Sequence, residues 1–361
     1  MRLLISLFLL YSPLSYAQKE GEVSLPKKAL EVIVKNLKEG DSLVKAYAIE
    51  SLGETGNKRI VPVIKKYLKD QNGYIKVSAG WALWKLSDPQ GLESLYEVIE
   101  NAPSQSPVND PLVELKNIAE NKIREKAIEK VVLILGSKAK ELLVKLKNSD
   151  YYPFIRDVAS RELAVMGEKE ELNGFYEGFS SPDEETRLQT AQIFSKICPK
   201  DPAKILERLK KEKSAKIQMF LIESLRCAVK SKDAMETLIS FSSDKNPTLR
   251  YKAVYSLSHY SDEKAVQTLK TIYSDTPDAN LKVEAMNSLL EKGIIKADYE
   301  EISQIFSYAD SDIKRKLIRT SDYLEKDKAK SFLASAMEDK DPYTALDACV
   351  KTIKMASENK I

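Results

Sequence analysis

The sequence is poor in the side chains that do chemistry. Its 361 residues hold one histidine, His259, and three cysteines, Cys198, Cys227 and Cys349. A lone imidazole makes neither a metal site nor the base of a nucleophilic triad. The cysteines lack CxxC spacing, so thiol redox chemistry has no support. There is no GxGxxG, phosphate loop or HExxH. Catalytic residues, cofactors and metals are therefore expected to be absent, and the chain is expected not to be an enzyme. Charge of one sign is lacking as well: 57 basic and 54 acidic residues give a formal +3, so no global field draws the chain to nucleic acid or anionic lipid. Glycine is scarce at 12, and the dominance of Leu, Ile, Ala, Lys and Glu favours helix throughout.

Long apolar runs are absent except for one. Arg2, the run Leu3 to Tyr11, and then Ser15, Tyr16 and Ala17 before Gln18 and Lys19 have the layout of a cleavable secretory signal. The run is shorter than the roughly 20 residues needed to span a bilayer, and no later segment is longer, so no integral membrane segment is expected. Residues 1–17 are read as a signal peptide, 18–26 as a short linker, and the chain as exported, periplasmic or secreted.

What fills the rest is one repeated unit. Leu249, Ala253 and Leu257 stand at its positions one, five and nine, with basic Arg250 at position two. The same frame begins at Val44, Ile75, Ile123, Ile155, Thr186, Ile217, Leu281, Ile313 and Thr344. Successive starts lie 31, 48, 32, 31, 31, 32, 32, 32 and 31 residues apart, a period that marks a solenoid. Positions one, five and nine form one helical stripe with a small residue at its centre. Three residues before most starts stand helix-capping side chains: Asp41, Asn72, Asp183, Ser214, Asn246, Asp278, Asp310 and Asp341. Glu120 and Tyr152 break that pattern. Partner helices are predicted over 27–39, 58–69, 89–101, 139–148, 170–180, 202–213, 233–243, 263–274, 297–309 and 328–338.

The run Asp41, Ser42, Leu43, Val44, Lys45, Ala46, Tyr47, Ala48, Ile49, Glu50, Ser51, Leu52, Gly53 resembles the HEAT-like repeat of the phycobilin-lyase type, and the resemblance extends over 27–353. It implies an all-α fold, a right-handed α-α superhelical solenoid of about ten helix pairs, with the helix that bears Val-Arg lining the concave side. Copies starting at Thr186, Ile313 and Thr344 are degenerate at core positions.

Opposite the core stripe fall positions three, four and seven of each unit, which are expected to face solvent. Several are large and apolar, and exposed apolar, aromatic and Arg residues mark binding surfaces. Tyr47, Val77, Trp81, Leu188, Met219, Phe220, Tyr251, Tyr255 and Val283 are the candidate anchors for a protein partner. Arg315, Lys316 and Arg319 form a local basic patch beside them. The competing reading is that position four leans on the next repeat and is core.

Three further features bear on function. The ladder Lys45, Lys76, Arg124, Arg156, Arg187, Arg250, Lys282, Lys314 could mimic a nucleic-acid stripe, but cap carboxylates stand beside it, so it is expected to pair along the stack and no nucleic acid is expected. The one long interval contains Asn101 to Asp110 and Pro111, with three prolines, and is read as an extended insertion over 101–117. Cys198 and Cys227 end neighbouring inner helices; they are either bridged or two small buried apolar residues. The expectation is an exported, non-enzymatic scaffold that binds a protein partner along its concave face in the bacterial envelope. The alternatives are a structural component of an envelope machine or filament, and a lyase-like enzyme acting on a tetrapyrrole-like ligand.

Overall fold

The computed structural model describes residues 24–103 and 111–361; the signal-like segment 1–17 and the centre of the proline-rich insertion lie outside the described residues. Every regular element described is helical: the protein is an all-α solenoid, with ten helix pairs among the described residues. Inner helices run over Ser42–Glu54, Gly73–Lys85, Pro111–Leu135, Pro153–Val165, Glu184–Ile197, Ala215–Ser224, Pro247–Leu257, Ala279–Glu291, Ser311–Ile318 and Pro342–Ser357. Each outer helix lies within two residues of its predicted bounds, with one exception. At 58–69 a short α-helix, Val61–Ile64, sits between two 3₁₀ turns, because Pro62 removes an amide donor from the ladder.

Capping works as the spacing predicts. Asp41, Asn72, Asp183, Asn246, Asp278, Asp310 and Asp341 each accept from a backbone amide of the following turn. Ser214 does not cap its helix; its hydroxyl donates to Glu184 at 2.8 Å. The missing cap at Glu120 has a plain cause: the inner helix there begins at Pro111, so Glu120 is in its interior. This corrects the extended reading of the insertion for 111–117, which is helical.

Degenerate copies satisfy their polar core positions locally. Thr190 and Thr352 donate to the carbonyls of Thr186 and Ala348, and Ser321 donates to Ile318, so buried hydroxyls are not orphaned. Position eight is often a buried serine that ties repeats together: Ser256 donates to the Ile222 carbonyl at 3.1 Å and Ser288 to that of Ser258 at 2.8 Å.

The chain forms two compact units. One comprises the residues before 135 together with 324–361; the other is 135–323. In the second, the four pairs from Lys169–Gly178 to Ala279–Glu291 bury a continuous core through Phe194, Leu221, Leu225, Ala253, Leu257 and Leu289. In the first, the last inner helix, Pro342–Ser357, packs on both Leu25–Glu39 and Ser42–Glu54. The first and last pairs of this unit are therefore neighbours.

Candidate functional site: the inner-helix faces

The inner helices pack directly on one another, which decides what remains free. Val77, Leu188 and Val283, three candidate anchors at position three, are only 3%, 4% and 0% exposed. They are corrected to core. An inner helix is flanked by neighbours on both sides as well as by its own partner, so these three side chains are covered by the adjoining repeat. The free arc is narrower than predicted and varies between repeats: Met219 and Tyr251, also at position three, are half-buried, whereas Ser78 and Val158 at position four are buried.

In the first unit this arc presents Tyr47 and Trp81, both half-buried. Trp81 stacks on Trp84 with ring centroids 5.1 Å apart. The Lys130 ammonium lies 4.4 Å from the Trp81 ring and that of Lys85 5.1 Å, a placement attracted by the ring's negative face. Both lysines are tied to carboxylates: Lys130 to Glu50 at 3.2 Å and Lys85 to Glu54 at 2.9 Å. Glu50 also accepts from Ser78 at 2.8 Å, and Glu54 pairs with Lys354 at 2.8 Å. Burial pushes the Glu54 pKa up, but the bonds from Lys354 and Lys85 outweigh it and hold the carboxyl below its ordinary value. Tyr47 donates to Asp347 and meets Tyr343 edge-to-face at 5.1 Å.

The second unit carries an analogous set. Tyr251 and Tyr255 stack with centroids 6.5 Å apart, and Tyr255 meets His259 edge-on at 5.3 Å. Lys252 bonds Glu223 at 2.9 Å. Lys316 reaches across two repeats: it donates to the Tyr251 hydroxyl and to Asn280, each at 2.7 Å, with Glu284 at 3.8 Å. Tyr251 in turn donates to Glu284 at 3.2 Å. Burial lowers the Lys316 pKa against the opposing pull of Glu284, and burial together with Glu284 raises that of Tyr251. Lys316 is thus a brace between repeats, not part of an open basic patch; Arg319 remains exposed and Arg315 half-buried. Met219 and Phe220 are half-buried against the core.

Five residues of the basic ladder are engaged internally, chiefly with partners other than the expected cap carboxylates, although Arg250 also lies 3.9 Å from the cap Asp278. Arg156 donates to the carbonyls of Asp150 and Tyr151, Arg187 to those of Ser181 and Pro182, and Arg250 to that of Asp244. Each arginine closes the loop that enters its own helix. Arg124 bonds the Ile99 carbonyl at 2.8 Å, and Lys282 pairs with Glu301 at 2.8 Å.

Beside the first unit's inner face, Trp84, Lys85, Ser87, Asp88, Pro89, Leu92, Glu93 and Tyr96 line a hollow of about 680 Å³. Two glycines set its walls. A Cβ on Gly91 would stand 2.4 Å from the Trp84 backbone nitrogen, and one on Gly80 2.7 Å from Ser94 Oγ, so helices Gly73–Lys85 and Gln90–Glu100 cross closer than side chains allow. Trp84 escaped the sequence reading because it falls just beyond the nine-residue unit; its spacing from Trp81, one helical turn, was the available signal. Lys130, Lys354 and Asp347 had none. Cys198 and Cys227 are bridged, with Cα atoms 5.4 Å apart, and Cys349 is a buried free thiol. Among the described residues no group of three or more His, Cys, Asp and Glu side chains is gathered for a metal ion.

Residues 30–107 and 202–289 match the family model for HEAT repeats. Among curated proteins, a deoxyhypusine hydroxylase of Candida albicans is 22% identical over 282 residues, covering 71% of this chain and 86% of that one. Solved structures with similarity include the complex of CpcE and CpcF of phycocyanin lyase from Nostoc, with a TM-score of 0.35 and 15% identity over 87% of this chain and 98% of that one. Human deoxyhypusine hydroxylase gives 0.32 and 12% over 92% and 97%. The karyopherin Kap121p, bound to the extreme C-terminus of Cdc14p, gives 0.35 and 11% over 94% and 44%. The curated relative is an enzyme by name, which overturns the expectation of a chain outside enzyme families. That expectation rested on the absence of local motifs, whereas a repeat array assembles its sites from helices far apart in sequence.

Proposed function

We propose that this chain, whose residues 30–107 and 202–289 match the model for HEAT repeats, captures a segment of a partner protein on the free arc of its inner helices. One observation carries this reading: the position-seven aromatics Trp81 and Tyr255 are half-buried and braced by lysines that are themselves fixed by carboxylates. A braced ring offers apolar area to a partner with little rotamer entropy left to lose. Capture of this kind serves a scaffold and equally an enzyme that must hold a protein substrate. The second reading, chemical alteration of the captured segment, is favoured by the name of the curated relative and by the perturbed Tyr251–Lys316 pair.

The cell envelope is the proposed location. The signal-like residues 1–17 support it, and so does the Cys198–Cys227 bridge, which suits an oxidising compartment. A filament joined through free end repeats is not part of the proposal, because the first and last pairs of the first unit cover each other. The test compares partner recovery by the native chain with that by Trp81→Ala/Tyr255→Ala at matched helicity. Loss of recovery by the variant supports the reading; equal recovery contradicts it. Amino-terminal sequencing of the processed chain should start at Gln18, and a start at Met1 from the envelope fraction contradicts cleavage.

A further inference from the structure

The outer helix Gln90–Glu100 contains no lysine or arginine in a chain whose charges otherwise nearly balance. Glu93, Glu97 and Glu100, spaced four and three apart, share one face of it, and all three are exposed. None has an ion-pair partner among the described residues. Beside that ridge, Leu92 and Tyr96 form a half-buried shelf, and Trp84 and Pro89 complete the hollow of about 680 Å³ that Glu93 also lines. The other charges lining the hollow are engaged: Lys85 pairs at 2.9 Å with Glu54, which also holds Lys354, and Asp88 pairs with Lys65 at 2.8 Å. An apolar aromatic floor is thus bordered by uncompensated negative charge.

We infer that this groove docks a basic amphipathic segment of a partner protein. Its apolar side chains seat on Trp84, Leu92 and Tyr96, and its lysines or arginines face Glu93, Glu97 and Glu100. The rings supply contact area, and the carboxylates select the sign of the ligand and fix its orientation. An acidic segment would meet like charge along the whole ridge, and an anionic lipid surface is disfavoured for the same reason. The groove goes beyond the inner-face reading and uses different residues.

The test uses the full chain and a labelled peptide of about 14 residues, roughly four helical turns, with leucine at helical spacing and lysine elsewhere. A counterpart carries glutamate in place of lysine. Fluorescence anisotropy should show binding of the lysine peptide, weakened by salt, and binding of the glutamate peptide weaker by about tenfold or more. The double variant Glu93→Lys/Glu97→Lys changes only exposed positions and should reverse that preference. Tyr96→Ala should weaken the lysine peptide by about tenfold with an unchanged melting curve. Tyr255→Ala, on the second unit's inner face, should bind it as the native chain does. Absence of binding, equal binding of both peptides, retention of the preference by the charge-reversed variant, or loss of binding in Tyr255→Ala would overturn the groove as the site.

Discussion

Tyr47 donates its phenolic hydroxyl to Asp347 at 2.5 Å, joining residues 300 apart in the sequence. Lys354–Glu54 at 2.8 Å and Lys28–Glu338 at 2.6 Å span the same seam. The inner face of the first unit therefore joins segments far apart in the sequence, and Glu54, which binds the Lys85 that lies over Trp81, is held by a residue from the helix Pro342–Ser357.

The seam predicts energetic coupling. Tyr47→Phe and Asp347→Ala should each cost about 1.5–3 kcal/mol, the range for a hydrogen bond to a charged partner. The double variant should cost less than the sum, because either change alone already breaks the bond. Urea unfolding of the four proteins of the cycle reads the coupling; additive losses would mean that the bond contributes nothing to the seam.

Leu188, at position three of its unit, is predicted to behave as core. Leu188→Ala should destabilise by about 2–5 kcal/mol, as truncation of a buried leucine does, while Tyr255→Ala, on the free arc, should cost about 1 kcal/mol or less. Denaturant midpoints decide between them, and comparable losses at both sites would erase the distinction between flank and arc.

The Cys198–Cys227 bridge closes a separation of 29 residues. By loop-closure entropy its reduction should lower stability by about 3 kcal/mol. Denatured, unreduced protein should show one reactive thiol, that of Cys349, and reduced protein three. Three thiols in protein purified from the envelope would remove one of the supports for export.

Acid should find Glu212. Burial alone would raise its pKa, but the amides of Ser214 and Lys213 and the guanidinium groups of Arg187 and Arg208 bring it down to about 2 from an ordinary 4.5. A carboxyl depressed in the folded state stabilises above its unfolded pKa and loses that contribution as pH falls toward the folded value. The stability lost between pH 4.5 and 2 should therefore be about 3 kcal/mol at this group. Glu212→Gln should be less stable at pH 7 and flatter across that window; an unchanged acid slope would contradict the assignment.

Most of the architecture was legible because it is local. Stripe, cap and period place most helices to within a residue or two, the early start at Pro111 and the broken 58–69 segment excepted, since Asp41 or Asn246 caps whatever helix follows it, regardless of the rest of the chain. Two things were not legible. Val77, Leu188 and Val283 look solvent-facing on a single helix and become core only when a second inner helix lies against them, whereas Trp81 and Tyr255 are half-buried. The pairing of Tyr47 with Asp347, and of Glu54 with Lys354, depends on which repeats become neighbours, and a periodic sequence gives every repeat the same apparent neighbours. Lys316 looked like free charge for a related reason: its partners, Tyr251, Asn280 and Glu284, lie one and two repeats away.

The most direct measurement is site-specific photocrosslinking in cells. A photoreactive side chain at Tyr255 or at Gln192, both at position seven of their units, should yield an adduct with a discrete partner. The same group at exposed Tyr308, on an outer helix, should not. Adducts from Tyr308 with none from Tyr255 and Gln192 would contradict capture on the inner face.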